Sequence, residues 1–248
     1  MIRKFLFTKF IPKIYSAYLK ISFKSREFEL AENDKCLCLS TRADDAFIGI
    51  GATLLKYFKN FNIICLTDSV SNIPATSDFD TKNNIKQNFF NACTLANLDS
   101  PTYLSIPELT LSENFSLIQK IDISDYDYIF IPNILEQNVD NKSLAIFLTR
   151  LLKFQNIKPN LKIIMYEVWK PFAIVNSFID ISDIIEKKKE LLNIFNLQSD
   201  NKEYIYSALA IDKYRAYEYQ KNYIESFLSL NVKKYNDIVS IIYHNIKL

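Results

Sequence analysis

Four short apolar runs, spaced by amphipathic stretches, constrain this chain more than any other feature. They are Lys35-Cys-Leu-Cys-Leu-Ser40, Asn62-Ile-Ile-Cys-Leu-Thr67, Tyr128-Ile-Phe-Ile-Pro132 and Leu161-Lys-Ile-Ile-Met-Tyr-Glu-Val168. Near-continuous apolar runs of this length read as strands buried on both faces. Between them, helical spacing is visible from Phe47 to Phe58, from about Thr81 to Leu98, and from Asp140 to Phe154. Thr102 to Ser105 is a fifth strand candidate, Leu111 to Ile123 reads as a helix, and the chain from Ser182 onward reads as mostly helical. Strands alternating with helices predict a single α/β domain with a Rossmann-like parallel sheet covered by helices on both faces. The predicted layout is a basic N-terminal arm over 1–33, the α/β domain over 34–230 and a helical tail over 231–248. In such sheets ligands bind at the carboxyl ends of the strands. The loops after Ser40, Thr67, Pro132 and Val168 are therefore the ones to inspect.

Composition narrows the function classes. With 49% hydrophobic and 23% charged residues, the chain has the material for a sizeable core. A net charge of +2 gives no reason to expect nucleic acid. Only two glycines occur, Gly49 and Gly51, and in so glycine-poor a chain they mark a place where side chains must be absent. Cys36, Cys38, Cys65 and Cys93 form no CxxC pair and read as reduced core cysteines, with a cytoplasmic location expected. The single histidine, His244, lies in the tail and leaves the chain poorly equipped for a zinc site. No run of 18 apolar residues is present.

Residues 1–26 carry Arg3, Lys4, Lys9, Lys13, Lys20, Lys24 and Arg26 with no acidic residue, interleaved with aromatics. Lysines interrupt the apolar core a signal peptide needs. Two readings stay open: an arm docked on its own domain or on a second subunit, and a basic amphipathic segment touching the inner face of a membrane.

The loop after the first run is Ser40-Thr-Arg-Ala-Asp-Asp-Ala-Phe-Ile-Gly-Ile-Gly-Ala-Thr53. Two adjacent carboxylates at the tip of a buried strand need a counter-charge or a helix to cap. In its wider context the stretch resembles the zinc-dependent N-acetylglucosaminyl deacetylase family (LmbE-like, PIG-L type). Members carry Pro-His-Pro-Asp-Asp-Glu where this chain has Thr41-Arg42-Ala43-Asp44-Asp45-Ala46, followed by Gly-x-Gly-Gly-Thr, matched by Gly49, Gly51 and Thr53. Leu66-Thr67-Asp68 resembles the family's Leu-Thr-Asp. Its His-Pro-Asp-His reads here Asn138-Val139-Asp140-Asn141. Tyr166-Glu167-Val168-Trp169, Asp180-Ile181-Ser182, the reversed pair Gln198-Ser199 and Tyr223-Ile-Glu-Ser-Phe227 continue the likeness across roughly residues 34–230.

The resemblance implies hydrolysis of an N-acetyl group by a zinc-bound water, with two histidines and an aspartate on the metal and a second aspartate as base. Carried over, Asp44 falls at the base position, Asp45 at a ligand position, Arg42 and Asn141 at the two ligating histidines, and Asn138 at the oxyanion histidine. Arginine neither deprotonates nor ligates a cation. Arg42 is therefore expected to pair with Asp44, Asp45 or both and to replace the metal's charge. No cofactor is predicted.

The leading reading is a degenerate member that keeps a sugar, nucleotide-sugar or glycolipid-precursor pocket without zinc chemistry. A metal-independent enzyme built on Asp44 and Arg42 is the alternative. A residual metal-dependent deacetylase drawing on Asp68, Glu136 or Asp140 for a harder cation is a third. Trp169 is read as pocket wall or core. Tyr204, Tyr206, Tyr214, Tyr217 and Tyr219 are read as packing, and Glu186-Lys-Lys-Lys-Glu190 as a solvated helix face.

Overall fold

The structure, a computed structural model, describes residues 25–70, 79–196 and 203–243. The arm through residue 24, the loop around Pro74, the Gln198–Ser199 pair and His244 lie outside the described residues. The strands are β1 (Arg26–Glu27), β2 (Cys36–Ser40), β3 (Phe61–Thr67), β4 (Thr102–Ile106), β5 (Tyr128–Pro132), β6 (Lys162–Tyr166), β7 (Ser177–Asp180) and β8 (Ile224–Asn231). The helices are α1 (Asp45–Lys56), α2 (Phe79–Leu95), α3 (Phe115–Ile118), α4 (Val139–Phe154), α5 (Ile185–Asn196), α6 (Glu203–Ala216) and α7 (Val232–Ile242).

One sheet is ordered β1-β7-β8-β6-β5-β2-β3-β4. The expected parallel block, β6-β5-β2-β3-β4, is present. Beyond it the sheet is mixed, because β8 runs antiparallel to both β6 and β7. The period-2 geometry of strands sorts their side chains between two cores. Cys36, Cys38, Ile63, Cys65, Phe130 and Ile164 join α1, α2, α5 and α6 on one face. Leu37, Leu39, Ile129, Ile131, Ile163 and Met165 join α4 and α7 on the other. All four cysteines are free, buried and on the first face. Burial pushes the Cys36 and Cys38 thiols far above their ordinary range.

Several local expectations change. Residues 224–231, expected to be helical, form the longest strand; Glu225 interrupts its apolar pattern yet is fully buried. Only a 3-10 turn at Leu111–Glu113 and the single turn of α3 form where a helix was expected over 111–123. There Asp140 takes the Leu109 and Leu111 N–H groups (2.7 and 3.1 Å), and the Asn114 amide donates to the Thr110 carbonyl (2.9 Å), diverting backbone groups from a helix. Arg26 and Glu27, placed in the arm by sequence, pair with β7. In the tail, Tyr235, Ile238 and Val239 of α7 are core residues.

The glycine pair separates into two cases. A Cβ on Gly49 would lie 2.3 Å from Tyr166 Cδ2 and 2.6 Å from the Glu167 carbonyl, so α1 can approach β6 only without a side chain there. At Gly51 a Cβ would meet the Lys188 stem at 3.6 Å, ordinary contact, so the expectation holds for Gly49 alone.

The Lys187–Lys189 run is not a uniformly solvated face. Lys188 is fully buried, its Nζ 2.6 Å from Asp212 and 2.8 Å from Glu225. Burial opposes its charge, but Asp212 and Glu225 hold the ammonium protonated. Glu225 has a second task. Ile50 leaves helical geometry (φ −139°, ψ 22°) and kinks α1. Just past the kink, the N–H groups of Ala52 and Thr53 donate to the two Glu225 oxygens at 2.8 Å each, and the Thr53 hydroxyl adds a third bond at 2.5 Å. Glu225 thus caps the second half of α1 as an N-terminal carboxylate would.

Candidate active site

β2 and β5 are adjacent in the sheet, but their helices leave to opposite faces, α1 to one and α4 to the other. A crevice opens above the carboxyl ends of such a strand pair. Thr41 to Asp45 enter it from the β2 side, and Asn133 to Asn141 from the β5 side. The Thr41 carbonyl is fixed by the Thr67 N–H (3.1 Å) and hydroxyl (2.6 Å), and the Ala43 N–H by the Ser69 hydroxyl (2.8 Å).

Asp45 opens α1, and Asp44 stands at the N-cap position, yet neither side chain caps the helix. Asp45 is buried, and its Oδ2 accepts from the Thr41 hydroxyl (2.9 Å) and the Arg42 N–H (3.2 Å). The same Thr41 hydroxyl is hydrogen-bonded to Asn141, so Asp45 and Asn141 converge on one oxygen. Burial, then the neighbouring Asp44 charge, push the Asp45 carboxyl up to about 7.

Arg42 pairs differently from the expectation. Its guanidinium lies 2.5 Å from Glu108 and 3.5 Å from Asp44, while only its backbone meets Asp45. Burial works against the charge, but the fields of Asp44, Asp45 and Glu108 outweigh it and keep the guanidinium ionised. Glu108 was missed in the sequence. It follows β4, its side chain is 1% exposed, and its N–H donates to Asp68 (3.0 Å). A lone glutamate in Pro107-Glu108-Leu109 carries no local signal; the turn is set by Leu109 at φ 70° and by Asp140.

The remaining predicted residues take supporting places. Asn138 caps α4, accepting from the Asp140 N–H (2.7 Å), and its amide donates to Glu108 (3.3 Å). Glu136 accepts from the Trp169 and Lys170 N–H groups (3.1 and 2.8 Å). Trp169 is 47% exposed, with its ring 5.9 Å from Tyr204. The Tyr204 hydroxyl donates to Asp44 (3.1 Å), which brings α6 to the site. Burial, then the Asp44 charge, raise this phenol well above its ordinary value.

These residues do not fit a zinc ion. Of the three positions where the sequence resemblance implies ligands, one is a carboxylate, one an amide already hydrogen-bonded to Thr41, and one a cation aimed at Glu108. The oxygen donors considered for a harder cation are engaged separately: Asp68 with the Glu108 N–H, Glu136 with loop 169–170, Asp140 with loop 109–111. Among the described residues no group of three or more His, Cys, Asp or Glu side chains is placed to hold a metal.

Comparison with solved structures now places the architecture. The N,N'-diacetylchitobiose deacetylase of Pyrococcus horikoshii superposes with a TM-score of 0.68 at 18% identity, covering 82% of this chain and 85% of that one. This is the LmbE-like deacetylase fold. A conserved protein of Thermus thermophilus matches at a TM-score of 0.63 and 15% identity over 79% of this chain and 94% of that one. A deacetylase of teicoplanin biosynthesis matches at 0.58 and 12%, over 79% and 99%. No family model and no curated protein matches the sequence. Among the described residues, no helix of this chain is long and apolar enough to cross a membrane.

The raised Asp45 has a pH consequence. Between the ordinary carboxylate value of 3.8 and about 7, the folded state holds a proton that the unfolded chain has released. Stability from this group is therefore lost as pH rises through that window. Asp45→Asn retains an acceptor oxygen for Thr41 and Arg42 and removes the titration. Urea unfolding of both proteins across this range is expected to show the variant gaining on the parent as pH rises; parallel curves would sink the assignment.

Proposed function

We propose that this chain is an LmbE-fold protein whose zinc centre has been replaced by an internal ion-pair network, and that it recognises a hexosamine-containing glycan precursor without hydrolysing it. The observation that carries the reading is the clamp on Arg42: its guanidinium is held by buried Glu108 and by Asp44. Charge-assisted pairing of this kind ties the loop down without a metal's charge. Metal-independent hydrolysis with Asp44 as base would need a guanidinium free to turn toward an oxyanion, and Glu108 already engages it.

What the site retains suits recognition. Trp169 and Tyr204 form an aromatic wall, and the partly exposed Asp44 carboxylate lies at its foot. Asp44 is partly exposed and meets the Arg42 guanidinium only at 3.5 Å, so its carboxylate can face a ligand's cation. A sugar bearing a free ammonium is therefore expected to bind more tightly than its N-acetyl form.

Trp169 is the only tryptophan, which makes its fluorescence a specific reporter. Titration with glucosamine oligomers is expected to perturb it saturably, with weaker binding of the acetylated oligomers and loss of the preference in Asp44→Asn. Metal analysis after equilibration with zinc is expected to find no stoichiometric ion, and N-acetylglucosamine oligomers to release no acetate. Tight stoichiometric zinc accompanied by acetate release would overturn the proposal.

A further inference from the structure

α6 packs less than its tyrosines suggest. Tyr206, Tyr214 and Tyr217, expected as packing residues, are 71%, 74% and 89% exposed. The buried side chains of the helix are Ala208, Leu209, Asp212 and Ala216. Two alanines and a leucine offer little relief to interlock, so apolar contact alone fixes the rotation and slide of such a helix loosely. Its placement falls to ionic ties in its last two turns. One is Asp212 on Lys188 (2.6 Å). The other is Arg215 on Glu167, a buried carboxylate just past β6.

Arg215 Nη2 and Nε donate to the two Glu167 oxygens at 2.6 and 3.3 Å. The Ser226 hydroxyl (2.7 Å) and the Phe172 N–H (2.5 Å) supply two more bonds, which saturates the carboxylate. Arg215 Nη2 also donates to the Phe172 carbonyl. One guanidinium thus holds both ends of segment 167–172, and Trp169 lies between them. Eleven residues earlier on the same helix, about 16 Å along its axis, Tyr204 stands 5.9 Å from the Trp169 ring and donates to Asp44 at 3.1 Å.

We propose that Arg215 is a positioning residue for the candidate site, acting through Glu167 and α6 to set Trp169 and Tyr204 against each other as one wall. Glu136 holds the Trp169 and Lys170 N–H groups from the β5 side; Arg215 adds the register of that loop against α6. The planar fork matters, because an ammonium is a point charge and cannot span two carboxylate oxygens and a carbonyl together. The inference rests on the recognition reading above for what the wall binds, and not for how the wall is held.

Trp169 is the only tryptophan, so its near-UV circular dichroism band and its quenching by acrylamide report the wall directly. Arg215→Lys keeps the charge and is expected to lose much of the band and to be quenched more readily. It is also expected to bind glucosamine oligomers about tenfold more weakly, the lower end of the cost of removing support behind a ligand-contacting group. Tyr235→Phe controls for stability. It removes a buried bond to the Ala145 carbonyl on the opposite face of the sheet and is expected to leave the Trp169 band unchanged. Ser226→Ala, which takes one donor from Glu167, decides on the same band if Arg215→Lys does not fold. A parental band in the folded Arg215→Lys protein overturns the proposal, as does an equal loss in Tyr235→Phe. If the parent binds no glucosamine oligomer, the recognition reading fails while the Trp169 band still decides the role of Arg215.

Discussion

Lys188→Met is expected to destabilise the protein by about 3–5 kcal/mol, the range found when one partner of a buried ion network is removed. The lysine is completely enclosed, and among the described residues its ammonium is the only cation that the structure places on both Asp212 and Glu225. Methionine fills much of the volume, so the loss isolates charge from packing. Asp212 can relieve its isolation by taking a proton. Glu225 also caps the kinked α1 with its two oxygens, through Ala52 and Thr53. The variant's deficit should therefore be smallest at acidic pH and grow as pH rises, since its folded state binds more protons than the unfolded chain. Adding Asp212→Leu to Lys188→Met should recover part of the loss, giving a non-additive cycle. Urea midpoints for the parent, the two single variants and the double variant measure this. A Lys188→Met protein within about 0.5 kcal/mol of the parent would show that the triad contributes nothing.

That triad also marks where local sequence stops being informative. The parallel block was legible because strands buried on both faces carry uninterrupted apolar runs, as Cys36 to Leu39 and Ile129 to Ile131 do. β8 was not, because Glu225 breaks its run, and a charged residue in an apolar stretch reads as a solvated helix position. Lys188 was lost for the same reason: within Lys187-Lys188-Lys189 nothing local separates the one buried amine from its neighbours. Both charges are intelligible only together, and they lie on different elements of the fold.

The site divides along the same line. Arg42, Asp44, Asp45, Asn138 and Asn141 were readable because their loops follow recognisable strands in a recognisable order. The partner of Arg42 was not. Glu108 is brought in by a turn with Leu109 in the left-handed region and by ties to Asp68 and Asp140, all of them long-range. Tyr204 belongs with it: among five tyrosines at helical spacings, only the tertiary structure separates the one touching Asp44 from the three facing solvent.

If Arg42 stands in for a metal's charge, exchanging the two should be possible. Arg42→His combined with Asn141→His would set two imidazoles beside Asp45, the three-ligand pattern of a catalytic zinc site. Without metal the variant should be markedly less stable than the parent, because it breaks the buried Arg42–Glu108 pair; removing one partner of a buried pair costs about 3–5 kcal/mol. Zinc should then raise its stability in a concentration-dependent way, by about 2.7 kcal/mol at one hundred times the dissociation constant, while the parent responds little. Thermal unfolding in chelator and in graded zinc reads this without reference to any activity. Arg42→Ala, which shares the vacated Glu108 but adds no ligand, controls for weak zinc binding to exposed carboxylates. A double variant destabilised equally with and without zinc would mean that the Thr41–Asp45 and Asn138–Asn141 loops no longer hold the geometry of a metal site, and that Arg42 is a structural residue rather than a substitute for an ion.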